Sequence, residues 1–170
     1  MDDDLIIKWF DQYADDIYRF LVFRLGTPDV EDLVQDVFIK AINHHQSFRG
    51  DANPKTWLIS IARNLATDQM RKNKVRDWRR LIDEEDYQPK TVDSPETVVE
   101  NAELKVYVRE LINQLKPNYR DVVFLRGIEE FSVTETAQVL GWSENKVSTT
   151  YHRAIKALQR KGGVAFESES

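Results

Sequence analysis

The chain of 170 residues contains no cysteine. This excludes disulfide-stapled folds, thiolate zinc sites and cysteine nucleophiles, and it suits a reducing compartment. Long apolar runs are missing too, because no stretch approaches the ~20 apolar residues that a membrane span needs. The start, Met1-Asp2-Asp3-Asp4, is acidic where a signal peptide is basic. We therefore expect a cytoplasmic protein that does not insert into a membrane.

Residues that usually carry catalysis are scarce. There are three histidines, and the adjacent His44 and His45 point to different sides of a helix, unlike the paired histidines of a zinc helix. The six glycines form neither a phosphate-binding loop nor a dinucleotide fingerprint, and no serine lies in a nucleophile elbow. The sequence predicts no metal, no cofactor and no catalytic site of its own.

Charge is plentiful but unevenly placed. With 41% hydrophobic and 31% charged residues the chain can build a core, and its formal net charge is −5. Residues 51–80 hold eight Lys and Arg against three Asp and Glu, whereas residues 81–100 hold one against seven. A strongly basic block is thus followed at once by an acidic one.

Apolar residues recur at three- and four-residue steps and never at strand spacing, which predicts an all-α protein. The first helix ends at Gly26, a second opens at Thr27-Pro28-Asp29 and stops near His45, and a third opens at Asn53-Pro54. Acid and two prolines then interrupt the pattern. We predict two small helical domains, 1–80 and 96–162, a flexible acidic linker at 81–95 and a disordered tail at 163–170.

The second domain contains the sharpest local pattern. Ser132 and Glu135 have the spacing of a capping box, Gly141 provides a turn, and Ser143 caps a last helix. A small residue at Ala137 and apolar anchors on the last helix fit a helix-turn-helix. The remaining face of that helix offers hydrogen-bonding and cationic side chains for a DNA groove: Lys146, Ser148, Thr149, Thr150, His152, Arg153 and Lys156. The alternative is an ordinary antiparallel helix pair with a solvated basic face.

Aromatic and cationic residues alternate between Phe48 and Arg80, a composition typical of single-stranded nucleic-acid binding. Trp57 lies on the apolar stripe and is expected in the core. Phe48 lies in a polar loop, and both a binding role and a core role stay open for it. The polar edge of the second helix is either a solvated face or an interface: Asp32, Gln35, Asp36 and Lys40.

Two separated segments resemble a known family. Asp29-Val30-Glu31-Asp32-Leu33-Val34-Gln35-Asp36-Val37-Phe38, with Phe48-Arg49-Gly50 and the stretch from Thr56 to Ala66, is similar to region two of bacterial extracytoplasmic-function (group IV) sigma factors. The stretch from Leu115-Lys116-Pro117 to Arg153 resembles their region four. Members often begin the reading helix with Gly-Thr-Val-Lys-Ser-Arg, where this chain has Asn145-Lys146-Val147-Ser148-Thr149-Thr150.

The resemblance implies a promoter-specificity subunit that binds core RNA polymerase and helps to open promoter DNA. It places Asp32, Gln35 and Asp36 against the clamp helices of the largest polymerase subunit. It implies contacts to the minus-ten element, including a pocket for a flipped base, from Phe48, Arg49, Lys55, Ile61, Arg63, Asn64 and Arg71. It assigns the minus-thirty-five element to the last helix, and it implies an anti-sigma protein, often membrane-anchored, as a further partner.

Two other functions remain open from the residues alone. A helix-turn-helix regulator with a dimerisation or sensor domain explains the second domain equally well but leaves the basic block between Phe48 and Arg80 without a role. A structural adaptor explains less, because it predicts that Arg153→Glu leaves DNA association unchanged. A stable complex with core polymerase separates the first possibility from these two.

Overall fold

The structure, a computed structural model, describes residues 2–48, 50, 53–83 and 102–162. It confirms the predicted all-α class, since the described residues form helices and no strand. The chain divides into two compact units, Met1–Pro95 and Glu96–Ser170. The helices of the first unit are α1 (Asp2–Leu25), α2 (Glu31–His44) and α3 (Pro54–Asp83). Those of the second unit are α4 (Ala102–Asn113), α5 (Pro117–Val122), α6 (Val133–Leu140) and α7 (Glu144–Gly162).

In the first unit, α1, α2 and α3 pack against one another in a three-helix bundle. The three- and four-residue spacing places one apolar stripe of each helix inside, as the periodicity predicts. The side chains buried there include Ile17, Phe20, Leu21, Val37, Phe38, Leu58 and Ala62. Leu5, Phe10 and Ile42 belong to the predicted stripes but lie at their edges and are exposed. Phe10 still contacts Phe38 edge-on, with 5.0 Å between the ring centroids.

The start of α2 differs from the prediction. The Thr27-Pro28-Asp29 segment forms a turn and not the first helical turn, because the Val30 amide donates to the Pro28 carbonyl at 3.0 Å. The Thr27 hydroxyl accepts from the Asp29 amide at 3.2 Å. These bonds use the local donors, so α2 begins at Glu31 with Val30 as its N-cap and no side-chain cap.

The helix α3 has 30 residues, a length of about 45 Å. It begins as predicted, since the Asn53 side-chain oxygen accepts from the Lys55 amide at 2.9 Å. It ends at Asp83, so residues 81–83 of the predicted linker are its last turn. Leu81 and Ile82 are compatible with a helix, and the chain contains no glycine or proline between Pro54 and Pro89. The other residues of that linker and of the predicted tail lie outside the described residues.

In the second unit, α7 contacts α4, α5, α6 and the segment that follows α5. That segment, Val123–Ile128, continues α5 as a π-helix and buries Val123, Phe124 and Leu125. The Tyr107 hydroxyl donates to the Gly162 carbonyl at 2.8 Å, and Lys161 donates to the Gln114 carbonyl at 3.2 Å. These two bonds join α4 and the residue after it to the end of α7.

The helix-turn-helix predicted between Val133 and Ala154 is present. The Ser132 hydroxyl accepts from the Glu135 amide at 3.0 Å, and the Glu135 carboxylate accepts from the Ser132 amide at 3.2 Å, which completes the capping box. Gly141 ends α6 with φ +69°, a left-handed conformation that glycine adopts without strain. Ala137 and Val147 are buried between α6 and α7. These contacts fix the angle at which α7 leaves the turn.

Candidate nucleic-acid interface

A cavity of about 160 Å³ opens between the end of α2 and the first half of α3. On α3 its lining residues are Trp57, Ile61 and Asn64, which share one face because they are four and three residues apart. Cavities of about 150 Å³ in proteins hold a benzene-sized ring. The opening therefore has room for a flat ring, with apolar walls and an exposed amide, Asn64, at its edge.

The other side of the cavity is formed by Lys40 and His44 of α2 and by Ser47 of the short 3₁₀ turn His45–Ser47. From the sequence, Lys40 was predicted on the polar edge of α2 with Asp32, Gln35 and Asp36, whereas His44 and Ser47 were assigned to no site. Lys40 and His44 are four residues apart, so they share one face at the end of a helix that leads into a polar loop. This pattern is the sequence signal that could have indicated a binding site there. The neighbouring His45 has a local role, since its Nδ1 lies 2.8 Å from the Ile42 carbonyl.

Phe48 belongs to an aromatic cluster next to this cavity. Its ring centroid lies 5.1 Å from that of Trp9 and 5.4 Å from that of Trp57, and the Trp9 and Trp57 centroids are 6.0 Å apart. Such edge-on and tilted contacts are favourable beyond the area they bury. Phe48 is thus half-buried and joins its loop to α1 and α3. The predicted Arg49 lies outside the described residues.

The predicted cations of this region have different surroundings. Lys55 Nζ lies 3.6 Å from Asp16 Oδ1, an ion pair that links the start of α3 to α1. Arg63 is half-buried, one residue before Asn64. Arg71 is exposed two turns further along α3, in the part of the helix that carries most of the basic block. Among the predicted minus-ten residues that the structure describes, Ile61 and Asn64 line the cavity itself.

The three residues predicted to contact polymerase share an exposed face of α2. Asp32, Gln35 and Asp36 are all exposed, at three- and four-residue spacing on the side opposite Val34, Val37 and Ala41, which are buried. Ile39 continues the same face and is 53% exposed. The acidic groups of this face repel the phosphates of DNA, so the face is unlike a DNA-contacting surface.

The exposed face of α7 has a polar, cationic stripe. Ser148, Thr149, His152 and Lys156 are exposed and follow helical spacing, and Arg153 is exposed at the edge of this stripe. The buried side holds Val147, Ala154 and Leu158. Thr150 is half-buried and turned toward that side. Lys146 is exposed, and its Nζ lies 4.2 Å from the centroid of the Trp142 ring in a cation–π contact.

Two features that other functions require are absent from the described residues. Over the described part of the chain, no group of three or more His, Asp or Glu side chains is placed to hold a metal ion. Within the same residues, no helix combines the length and the apolarity required to cross a bilayer.

The fold and these surfaces define a two-unit helical DNA-binding protein, and comparison with known proteins identifies its family. Residues 9–76 match the model of sigma-70 region 2, and residues 105–158 match that of sigma-70 region 4. The chain is 35% identical over 157 residues to the ECF RNA polymerase sigma factor SigX of Bacillus subtilis (strain 168), covering 89% of this chain and 80% of the relative. It is 32% identical over 167 residues to the RNA polymerase sigma factor YlaC of the same strain, covering 98% and 96%.

A solved structure has the same fold. The Bartonella quintana sigma factor RpoE, crystallised with the anti-sigma factor NepR, aligns with a TM-score of 0.74 and 25% identity, over 93% of this chain and 96% of that one. The chain therefore belongs to the sigma-70 family, in its ECF group. It is a non-catalytic specificity subunit of RNA polymerase that directs promoter-specific initiation of transcription. This assignment selects the first of the three functions that the residues alone left open.

Proposed function

We propose that the cavity between α2 and α3 captures one base of the minus-ten element after it leaves the duplex. The observation that carries this proposal is the combination of a ring-sized volume, about 160 Å³, with Trp57 and Ile61 as walls and Asn64 at the edge. An amide can donate to and accept from a base edge, and apolar walls favour a stacked ring. Capture shifts the equilibrium toward open DNA by its binding free energy and requires no catalytic residue.

Cations around the cavity hold the strand that carries the base. Lys40 lines the cavity, Arg63 lies beside Asn64, and Arg71 extends the positive charge along α3. In the sequence, Arg49 lies in the loop between α2 and α3, and Lys55 follows that loop. Phosphate contacts of this kind position DNA without reading its sequence. Phe48 has a supporting role, because it anchors the loop through Trp9 and Trp57.

The exposed face of α2 with Asp32, Gln35 and Asp36 docks on the clamp helices of the largest polymerase subunit. All three side chains are exposed and on one stripe, which is the geometry that a helix needs to contact another helix along its length. The acidic groups keep this surface away from DNA phosphates. Docking and base capture thus use successive parts of the same helix, because Lys40 and His44, which line the cavity, lie nearer its end.

The second unit reads the minus-thirty-five element with α7. Ser148, Thr149, His152 and Lys156 present hydrogen-bonding groups and positive charge along one exposed stripe, with Arg153 at its edge. Residues 1–80 and 96–162 act as the two DNA-reading domains, joined by the acidic linker at 81–95. The protein works in the cytoplasm, where it associates with core polymerase, and it has no catalytic site of its own.

An anti-sigma protein covers one or both of these surfaces when the factor is inactive. This part of the proposal is supported by the similar Bartonella quintana sigma factor, whose structure contains the anti-sigma factor NepR. The exposed α2 face and the exposed α7 stripe are the surfaces that such a partner must cover in order to block polymerase and DNA.

The test is initiation in a purified system. Core polymerase with this protein is supplied with a library of randomised promoter DNA, and the 5′ ends of the transcripts are sequenced. We expect transcripts from a common promoter with two conserved elements that core polymerase alone ignores. A complete lack of selected promoters, with the protein shown to be folded by circular dichroism, contradicts the proposal.

A further inference from the structure

The side chains at the start of α7 are almost all engaged within the protein. The Ser143 hydroxyl caps the helix by accepting from the Lys146 amide at 3.1 Å. The Glu144 carboxylate accepts from the Thr134 hydroxyl at 2.8 Å, which links the starts of α6 and α7. The Lys146 ammonium lies over the Trp142 ring. The first turn of α7 is therefore held rigidly against α6 and the turn.

Asn145 is the exception in this turn. It lies between the engaged Glu144 and Lys146, it is exposed, and its amide has no hydrogen-bond partner among the described residues. When a polar side chain on a rigid turn binds a ligand, the backbone of that turn loses little further conformational entropy. The turn thus presents one uncommitted amide to solvent.

The position of Asn145 continues the exposed stripe of α7. Asn145, Thr149, His152 and Lys156 are separated by four, three and four residues and are all exposed. At 1.5 Å per residue, Asn145 and His152 are about 10 Å apart along the helix, the rise of roughly three base pairs. Residues near the N-terminus of a recognition helix are the ones that contact base edges.

We propose that Asn145 determines promoter specificity by reading one A·T pair of the minus-thirty-five element in the major groove. The amide binds adenine in the standard bidentate pattern, with its nitrogen donating to adenine N7 and its oxygen accepting from the adenine N6 amino group. This assignment deepens the proposed function and rests on it, because it requires that α7 enters the groove. It adds a residue beyond the predicted set from Lys146 to Lys156.

The experiment compares variants in promoter selection with reconstituted polymerase and a library randomised over the minus-thirty-five element. We expect wild-type protein to select adenine at one position, and Asn145→Ala to reduce that preference about tenfold while leaving the other positions unchanged. Asn145→Arg should shift the preference at the same position to guanine, whose O6 and N7 accept from a guanidinium.

Asn113→Ala is the matched control, since Asn113 is an exposed asparagine at the end of α4 and does not belong to the exposed stripe of α7. It should select the same element as the wild type. Circular dichroism checks that each variant is folded. If the wild type selects an element and Asn145→Ala leaves every position unchanged, or weakens all sequences equally, the base contact is refuted. If the wild type selects no element at all, the proposed function itself fails.

Discussion

The ring of Phe48 meets the ring of Trp9 edge-on, with centroids 5.1 Å apart and planes inclined at 78°. The contact ties the loop after α2 to α1, and Phe48 also packs against Trp57, which lines the cavity. The shape of the cavity therefore depends on an aromatic cluster contributed by α1, α3 and the loop between α2 and α3. A residue in a polar loop serves here as a structural anchor.

Phe48→Ala should lower the free energy of unfolding by about 1–3 kcal/mol, less than for a fully buried phenylalanine because the ring is only half-buried. Urea unfolding followed by circular dichroism measures the change. Trp78→Ala is the control, since Trp78 is 64% exposed and should change stability by less than about 0.5 kcal/mol. Equal stability of the wild type and Phe48→Ala contradicts the anchoring role.

Asn64→Ala should weaken promoter opening while leaving the affinity for core polymerase unchanged. The amide lies at the edge of the cavity, on a different helix from the exposed face of α2. Loss of one hydrogen-bonding group to a captured base should reduce the fraction of open complexes about tenfold. Fluorescence of 2-aminopurine in the minus-ten element reports opening, and a binding titration reports polymerase affinity.

Asn118→Ala, an exposed asparagine at the start of α5, serves as the control for that experiment and should leave both quantities unchanged. A parallel loss of opening and polymerase affinity in Asn64→Ala would instead mean that Asn64 supports the fold of the bundle.

Asp36→Lys should reduce the affinity for core polymerase about tenfold, because a reversed charge at the centre of a complementary interface opposes docking. Glu31→Lys makes the same change in charge at the edge of the stripe formed by Asp32, Gln35 and Asp36, at the exposed first residue of the same helix and four residues before Gln35. Its effect should be several times smaller at physiological salt. Equal effects of the two variants point to the net charge of α2 and exclude the specific face.

Ser132→Ala should lower the free energy of unfolding by about 1 kcal/mol, since it removes the N-cap acceptor of α6. Ser148→Ala is the complementary variant, because Ser148 is exposed within α7 and is predicted to contact DNA. It should leave stability unchanged and alter selection of the minus-thirty-five element. Thermal unfolding and promoter selection on both variants separate the two roles, and an exchange of these phenotypes would contradict both assignments.

The parts of the fold that the sequence predicts correctly are those set by short-range chemistry. The caps at Asn53, Ser132 and Ser143 need only a side-chain oxygen and an amide two or three residues away. The turn at Gly141 needs only a residue without a Cβ at positive φ. The start of α2 was predicted too early for the opposite reason, because Thr27 and Pro28 engage neighbouring amides in a turn that competes with the helix.

The candidate sites depend on contacts that no single segment contains. The cavity exists because the end of α2 lies beside the first half of α3, so Lys40, His44 and Ser47 join Asn64 only in the folded bundle. The contact between Lys146 and the Trp142 ring likewise joins α7 to the turn before it. The assignments of individual residues to polymerase and DNA remain predictions that the experiments above address.

The packing of α7 separates what holds the helix from what the helix displays. The buried Val147, Ala154 and Leu158 pack α7 against the rest of the unit. The exposed residues of the helix take no part in that packing: Asn145, Ser148, Thr149 and His152. These exposed residues can consequently be substituted together without loss of the packing that holds α7. Transplanting four side chains from a relative with a different promoter should transfer its preference without redesign of the fold.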